Sequence, residues 1–294
     1  MGMSAIEVDG VRYSYGRTLA VDGVTFSVSP GEIVGFLGPN GAGKSTTVKI
    51  LTGMLAPDDG SVRMLGHENG GNRVELHRRI GVCFEEKNLY AEMTGRENLQ
   101  FFSRLFGLRR YDTTAALRRV GLAERGDDRV KRYSKGMRQR LMVARALVNT
   151  PDVIFLDEPT DGLDPVSARA IRGLIREEAE RGAAVFLTTH DMNEADQLSD
   201  RVAFINEGRI VAMDAPENLK IEHGRRSVRV RLRVNNGAAG DKPGGVDEQV
   251  YDLGTQEAGE LLKRVADDPR LLTIHTEEAS LEDIFIKLTG RGLA

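Results

Sequence analysis

Apolar runs at residues 33–37, 80–84, 153–156 and 185–187 punctuate the first two-thirds of the chain. None shows polar alternation, so each predicts a strand buried on both faces, as in a parallel sheet. Ahead of them, Ile6, Val8 and Val11 precede Tyr13 and Tyr15. Val24, Phe26 and Val28 then alternate with Thr25, Ser27 and Ser29 up to the turn Pro30-Gly31. That period of two predicts antiparallel strands packed beside the first buried strand. A helix is expected from Thr46 to Leu55. Met137, Leu141, Ala144 and Val148 recur at spacings of four, three and four, marking one apolar helix face. Residues 95–121 are also helical in pattern, interrupted near Gly107. The insertion between the second and third runs is too long for a simple crossover, so a helical subdomain is expected over about 88–148.

Residues 202–205, the turn Asn206-Glu207-Gly208 and residues 209–213 predict a hairpin. After Pro216 the pattern changes. Val228, Val230, Leu232 and Val234 alternate with Arg229, Arg231 and Arg233, which predicts a half-buried strand. Residues 235–245 read as a loop, 258–266 as a short helix, 271–275 as a strand and 280–288 as a helix. Ser280 and Asp283 have the spacing of a capping box at its start. The prediction is an α/β domain over 1–222 followed by a small α+β domain over 223–294.

Composition changes this picture little. The net charge of −3 gives no push toward nucleic acid or an anionic membrane, and no nucleic-acid partner is expected. The single cysteine, Cys83, excludes an internal disulfide and reads as a buried small hydrophobe. No apolar run approaches the roughly 20 residues needed to span a bilayer. The N-terminus lacks a basic region and apolar core, so no signal peptide is read there. His67, His77, His223 and His275 show no metal-ligand spacing and read as ordinary polar residues. The arginines of 225–233 read as a solvated strand face.

The candidate chemistry changes it a great deal. Gly38-Pro39-Asn40-Gly41-Ala42-Gly43-Lys44-Ser45 matches G-x-x-x-x-G-K-[ST] between a predicted strand and a predicted helix starting at Thr46. Glycines let successive N–H groups point at phosphate oxygens, and the helix dipole favours an anion. Lys44 can reach the β/γ-phosphates and the Ser45 hydroxyl can ligate Mg²⁺. The run 153–156 ends in Asp157-Glu158, at the carboxyl end of a strand next to this loop. Asp157 suits the metal, and Glu158 suits polarising the attacking water. Ser134 and Gly136, in Tyr133-Ser134-Lys135-Gly136-Met137-Arg138-Gln139, open the apolar-faced helix and form a second anion-directed helix start. One nucleotide does not obviously fill both sites in a monomer.

With these motifs the chain resembles the ATP-binding subunit of an ABC transporter over about residues 4–222. Residues 38–45 resemble its Walker A and 153–158 its Walker B. Tyr133–Met137 sits at the LSGGQ-type signature, and Thr160-Asp161-Gly162-Leu163-Asp164 resembles the D-loop. His190, after Leu187-Thr188-Thr189, resembles the switch histidine, and Tyr15 is placed like the adenine-stacking aromatic, with Tyr13 a near neighbour. The resemblance implies a P-loop NTPase core with antiparallel β and helical subdomains. It also implies MgATP, with Ser134, Lys135 and Gly136 of one copy capping ATP held by the other in a head-to-tail homodimer or paired subunit. The subunit would sit in the cytoplasm, peripheral on the inner face of the cell membrane, and drive an integral membrane permease.

Two positions depart from the family pattern. Lys135 replaces the first glycine of the signature pair, either adding charge near the nucleotide or pointing to solvent. Glu85 stands where the family has a metal-contacting glutamine, unless the register places Glu86 there. The run Glu85-Glu86-Lys87-Asn88-Leu89-Tyr90 and the ending 279–290 resemble a subgroup of bacterial exporters, including drug-resistance and sodium-export types. The alternative is a soluble ABC ATPase acting on ribosomes or DNA. Such members usually carry two of these domains or long coiled coils, and this chain has neither.

Overall fold

The computed structural model describes residues 4–68, 73–84, 88–224, 227–233, 246–252, 268–277 and 279–290. The chain divides into two compact units between Ala215 and Pro216. In the first, strands β1 (Ile6–Tyr15) and β2 (Thr18–Val28) pair antiparallel and join β4 (Asp59–Met64) and β5 (His67–Glu68) in a four-stranded sheet. The sequence reading had β1 and β2 but not β4 and β5, whose apolar positions, Val62 and Met64, are too few to show a period.

A six-stranded sheet carries the apolar runs. It contains β3 (Ile33–Leu37), β6 (Ile80–Cys83), β7 (Val153–Asp157), β8 (Ala184–Thr189), β9 (Arg201–Asn206) and β10 (Arg209–Asp214), in the order β10-β9-β3-β8-β7-β6. All pairs are parallel except the β9–β10 hairpin. The runs are continuously apolar because both faces are covered. Val34, Phe36, Val153, Phe155, Ala184 and Phe186 join one core cluster with residues of β1, β2 and β4. Ile33, Ile154, Leu156, Val185 and Leu187 join a second cluster with the helices of the opposite face. Phe26, Phe36 and Phe186 lie ring to ring at 5.2–5.8 Å, and a buried Phe contributes about 1.5–3 kcal/mol.

β8 lies between β3 and β7, so the carboxylate strand is not the loop strand's neighbour. The register still brings their carboxyl ends level, with Leu37 opposite Thr189 and Asp157 opposite Thr188.

Helix α1 spans Lys44–Leu51, shorter than expected, because Gly53 turns the chain at φ +74° soon after. Helix α2 (Arg73–Arg79) precedes β6. The 88–148 insertion holds α3 (Gly95–Leu105), α4 (Thr113–Arg119), two 3₁₀ turns and α5 (Lys135–Ala146). α5 seats tightly on β6, since a Cβ on Gly81 would lie 2.1 Å from the Ala146 carbonyl oxygen. Helices α6 (Pro165–Glu180) and α7 (Met192–Leu198) follow β7 and β8. The buried Glu178 of α6 accepts from Arg119 at 2.8 Å and Arg181 at 2.9 Å, tying α4 to the core.

The second unit contains α8 (Pro216–His223), β11 (Ser227–Arg233), β12 (Val246–Asp252), β13 (Leu271–Glu277) and α9 (Leu281–Thr289). β11 is central, with antiparallel partners on both sides. Val228, Val230 and Leu232 are buried, while Arg229 and Arg231 face the other way and pair with Glu248. Ser280 and Asp283 form the capping box of α9. The sequence reading missed β12, whose side chains show no alternation. The expected loop 235–245 and helix 258–266 lie outside the described residues.

Candidate functional site

The loop between β3 and α1 folds back over β9. A Cβ on Gly38 would stand 2.2 Å from the Ile205 carbonyl oxygen, so only glycine allows that approach. Gly43 caps α1 at φ +108° and supplies no side-chain acceptor. The first-turn amides of α1 are therefore left for an external anion. Lys44 is only 6% exposed. Its ammonium donates to the carbonyls of Gly38 at 2.6 Å and Pro39 at 3.2 Å, which satisfies a buried cation inside the loop.

Ser45 donates its hydroxyl to Asp157 Oδ1 at 3.4 Å, and the Thr188 hydroxyl donates to the same oxygen. Serine and aspartate oxygens are the donor type that a hard divalent cation takes, with water and phosphate filling its other positions. Among the described residues no group of three or more His, Cys, Asp or Glu could hold a metal ion.

Glu158 follows β7 with φ +51°, a left-handed backbone rare outside glycine. Its Oε1 lies 3.8 Å from Lys44 Nζ, and its Oε2 is 2.9 Å from His190 Nδ1 and 3.4 Å from the His190 amide. Burial pushes its carboxyl above the ordinary range, against the opposing pull of His190 and Lys44. Behind it, the Thr160 hydroxyl donates to Glu194 at 2.6 Å, and burial also raises the Glu194 carboxyl.

These groups border a cleft of about 680 Å³. Residues 39–41 and 43–46 line it together with Glu158, Asp161 and His190, and with Tyr15 and residues 18–20. Tyr15 is half exposed in the cleft, whereas Tyr13 packs on the core and meets Tyr15 edge-on at 4.9 Å.

Ser134, Lys135 and Gly136 are not among the residues bordering the cleft. Ser134 caps α5, accepting from the Met137 amide at 3.2 Å. The Lys135 side chain is over half exposed and reaches a residue that borders the cleft. Its ammonium pairs with Asp161 at 2.6 Å, and its stem lies over Gly162. Asp164 caps α6 through the amides of Val166 and Ser167, and its hydrogen bonds to Ser167 lead in lowering its carboxyl.

The family model described as ABC transporter matches residues 21–161. A fluoroquinolones export ATP-binding protein of Mycobacterium tuberculosis is 44% identical over 304 residues, spanning 100% of this chain and 96% of that protein. The chain belongs to the ATP-binding subunits of ABC transporters. A Nod factor export ATP-binding protein I of Paraburkholderia xenovorans is 40% identical over 99% of both chains. A dimeric ATP-binding cassette solved in a post-hydrolysis state with ADP and phosphate superposes with TM-score 0.65 at 27% identity, covering 71% of this chain and 98% of that one.

This ABC subunit is therefore an ATP-binding protein whose family hydrolyses ATP to drive transport. Of the residues singled out in the sequence, Tyr15, Pro39, Asn40, Gly41, Gly43, Lys44, Ser45, Thr46, Glu158 and His190 border one cleft, with Asp157 against Ser45. Gly38 and Ala42 shape the loop from behind. Glu85 lies outside the described residues. Sequence reasoning missed Asp161 as a cleft residue, Thr188 as a partner of Asp157, and Gln139. The buried Gln139 donates from Nε2 to the Glu158 carbonyl at 3.2 Å. Only a polar residue among the apolar positions of α5 could have hinted at it. Cys83 is buried, and burial pushes its thiol up to about 12, which makes it inert.

Proposed function

We propose that this subunit binds MgATP in the cleft beside β3 and hydrolyses it with Glu158 as base. The reaction takes place in a head-to-tail pair of cassettes coupled to a separate export permease. The observation that carries the chemistry is the convergence on Glu158, whose two oxygens meet Lys44 at 3.8 Å and His190 at 2.9 Å. A carboxylate held there is placed to accept the proton of water attacking the γ-phosphorus. The water oxygen bonds to phosphorus, the bond to the β–γ bridging oxygen breaks, and ADP leaves with that electron pair. Burial makes Glu158 a stronger base than an exposed glutamate. His190 orients it, and Lys44 exchanges loop carbonyls for phosphate oxygens. Ser45 and Asp157 would hold Mg²⁺, with Glu85 assigned as a further ligand on sequence register alone. When bound there, the ion supplies charge neutralisation at the phosphates.

The pairing rests on the exposed start of α5. Ser134, Lys135 and Gly136 stand off their own chain's cleft, and the related cassette holding ADP and phosphate is a dimer. Asp164 is assigned to the same interface as part of the D-loop. Export rests on relatives named as export ATP-binding proteins over nearly their full length. Among the described residues no helix is long and apolar enough to cross a membrane, so the proposal assigns the crossing to the permease. It places this subunit on the cytoplasmic face of the cell membrane. Phosphate release by Glu158→Gln tests the chemistry. Turnover should fall about 10²- to 10⁴-fold with ATP still bound. Release at the wild-type rate would remove Glu158 from the role of base.

A further inference from the structure

Gln139 lies on α5 between the signature and the catalytic strand. The geometry points to Gln139 as a positioning residue: by holding the Glu158 carbonyl, it lets the helix that begins at the signature set the aim of the Glu158 carboxylate. The side chain is 4% exposed, so its amide must be satisfied inside the protein. Its Nε2 donates to the Glu158 carbonyl at 3.2 Å and lies 3.9 Å from Cys83 Sγ. One short side chain thus touches α5, the end of β6 and the turn after β7.

The bond falls where the backbone most needs holding. Glu158 sits at φ +51° without being glycine, a conformation that persists only when its surroundings enforce it. Its amide is tied to the Thr188 carbonyl at 3.1 Å, and its carbonyl accepts from the Asp161 amide at 3.2 Å. Gln139 supplies the second donor to that carbonyl and is the one that comes from α5. A rotation of this peptide swings the side chain away from Lys44 and His190. Gln139 lies within two helical turns of Ser134, so a shift of α5 on engaging a partner's nucleotide reaches Glu158 through this bond.

The inference rests on the reading of Glu158 as base. It is tested by ATPase kinetics of the full chain with MgATP in a double-mutant cycle. Gln139→Met keeps about the same volume but removes the donor. It should lower kcat about tenfold or more while leaving KM for ATP within about twofold. Gln139→Asn keeps an amide one methylene short and should fall between. In the Glu158→Gln background, Gln139→Met should cause no further loss, because the group it aims is already disabled. An additive loss in that background, or wild-type kcat for Gln139→Met, would overturn the inference. ATP-driven dimerisation of Glu158→Gln/Gln139→Met, read by size exclusion, checks the fold. Its absence would make Gln139 a binding or folding residue and overturn the inference too. Wild-type turnover by Glu158→Gln alone would instead sink the reading of the base.

Discussion

α1 and α5 both begin with a residue outside helical geometry, and their first turns are satisfied in opposite ways. At α1 the cap is Gly43, which offers no side chain, and the following lysine is 6% exposed and folded onto loop carbonyls. At α5 the cap is Ser134, whose hydroxyl takes up the Met137 amide, and the following lysine has a side chain 58% exposed and paired with Asp161. The first is an open cradle with its cation already inside. The second is closed on itself and faces outward. A helix start binds an anion only where its amides are left unfilled or a ligand outcompetes the local partner. The difference fits the proposed roles, α1 as the primary phosphate site and α5 as a site that acts once something is brought to it.

The largest effect should come from emptying the cradle. Lys44→Ala removes the buried cation from the phosphate path, and kcat should fall about 10²- to 10³-fold in a phosphate-release assay. An effect under tenfold would mean that the loop amides suffice and that the contrast between the two lysines is unimportant. Ser134→Ala should act on the other side of the comparison. Losing the cap destabilises by about 1 kcal/mol in chemical denaturation. ATP binding by the monomer should be unchanged, while turnover drops at protein concentrations that support pairing. A loss of monomer binding would place Ser134 in its own chain's site. The smallest effect is expected from Asp161→Asn, which removes the ion pair with Lys135. The pair is solvent-exposed on both sides, so stability should change by less than about 1 kcal/mol, and less at high salt. Any change in ATP-dependent pairing should exceed the change in stability, because Asp161 also borders the cleft.

What could be read from the chain beforehand follows the same division. The α1 cradle was legible because its parts are contiguous: a buried strand, a glycine-rich turn and Lys44-Ser45 lie within thirteen residues, 33–45. Asp157 and Glu158 were legible because they end an apolar run. The helical insertion was visible as excess length between two strands. Contacts made only by the fold were not legible. Lys135 and Asp161 are 26 residues apart, Gln139 and Glu158 are 19 apart, and Thr188 meets Asp157 across 31. Periodicity carries no signal about such pairs. The order of β3, β8 and β7 was not legible for a related reason. A buried strand reads the same wherever it sits in a sheet, and only the crossovers decide its neighbours. Strands β4 and β12 were missed because each has too few alternating positions to stand out from a loop.

In the proposed pair the cleft of one copy is completed by the α5 start of another. The most direct measurement is the mass in solution of Glu158→Gln protein with and without MgATP, alone and combined with Gly136→Asp. A Cβ on Gly136 already comes within 3.2 Å of Leu163, and an added carboxylate there would oppose phosphate. Dimer is expected with ATP and monomer without it, and monomer in both conditions for the combined variant while it still binds ATP. ATP-loaded Glu158→Gln protein that stays monomeric, or a combined variant that pairs as readily as the single one, would contradict the proposed pairing.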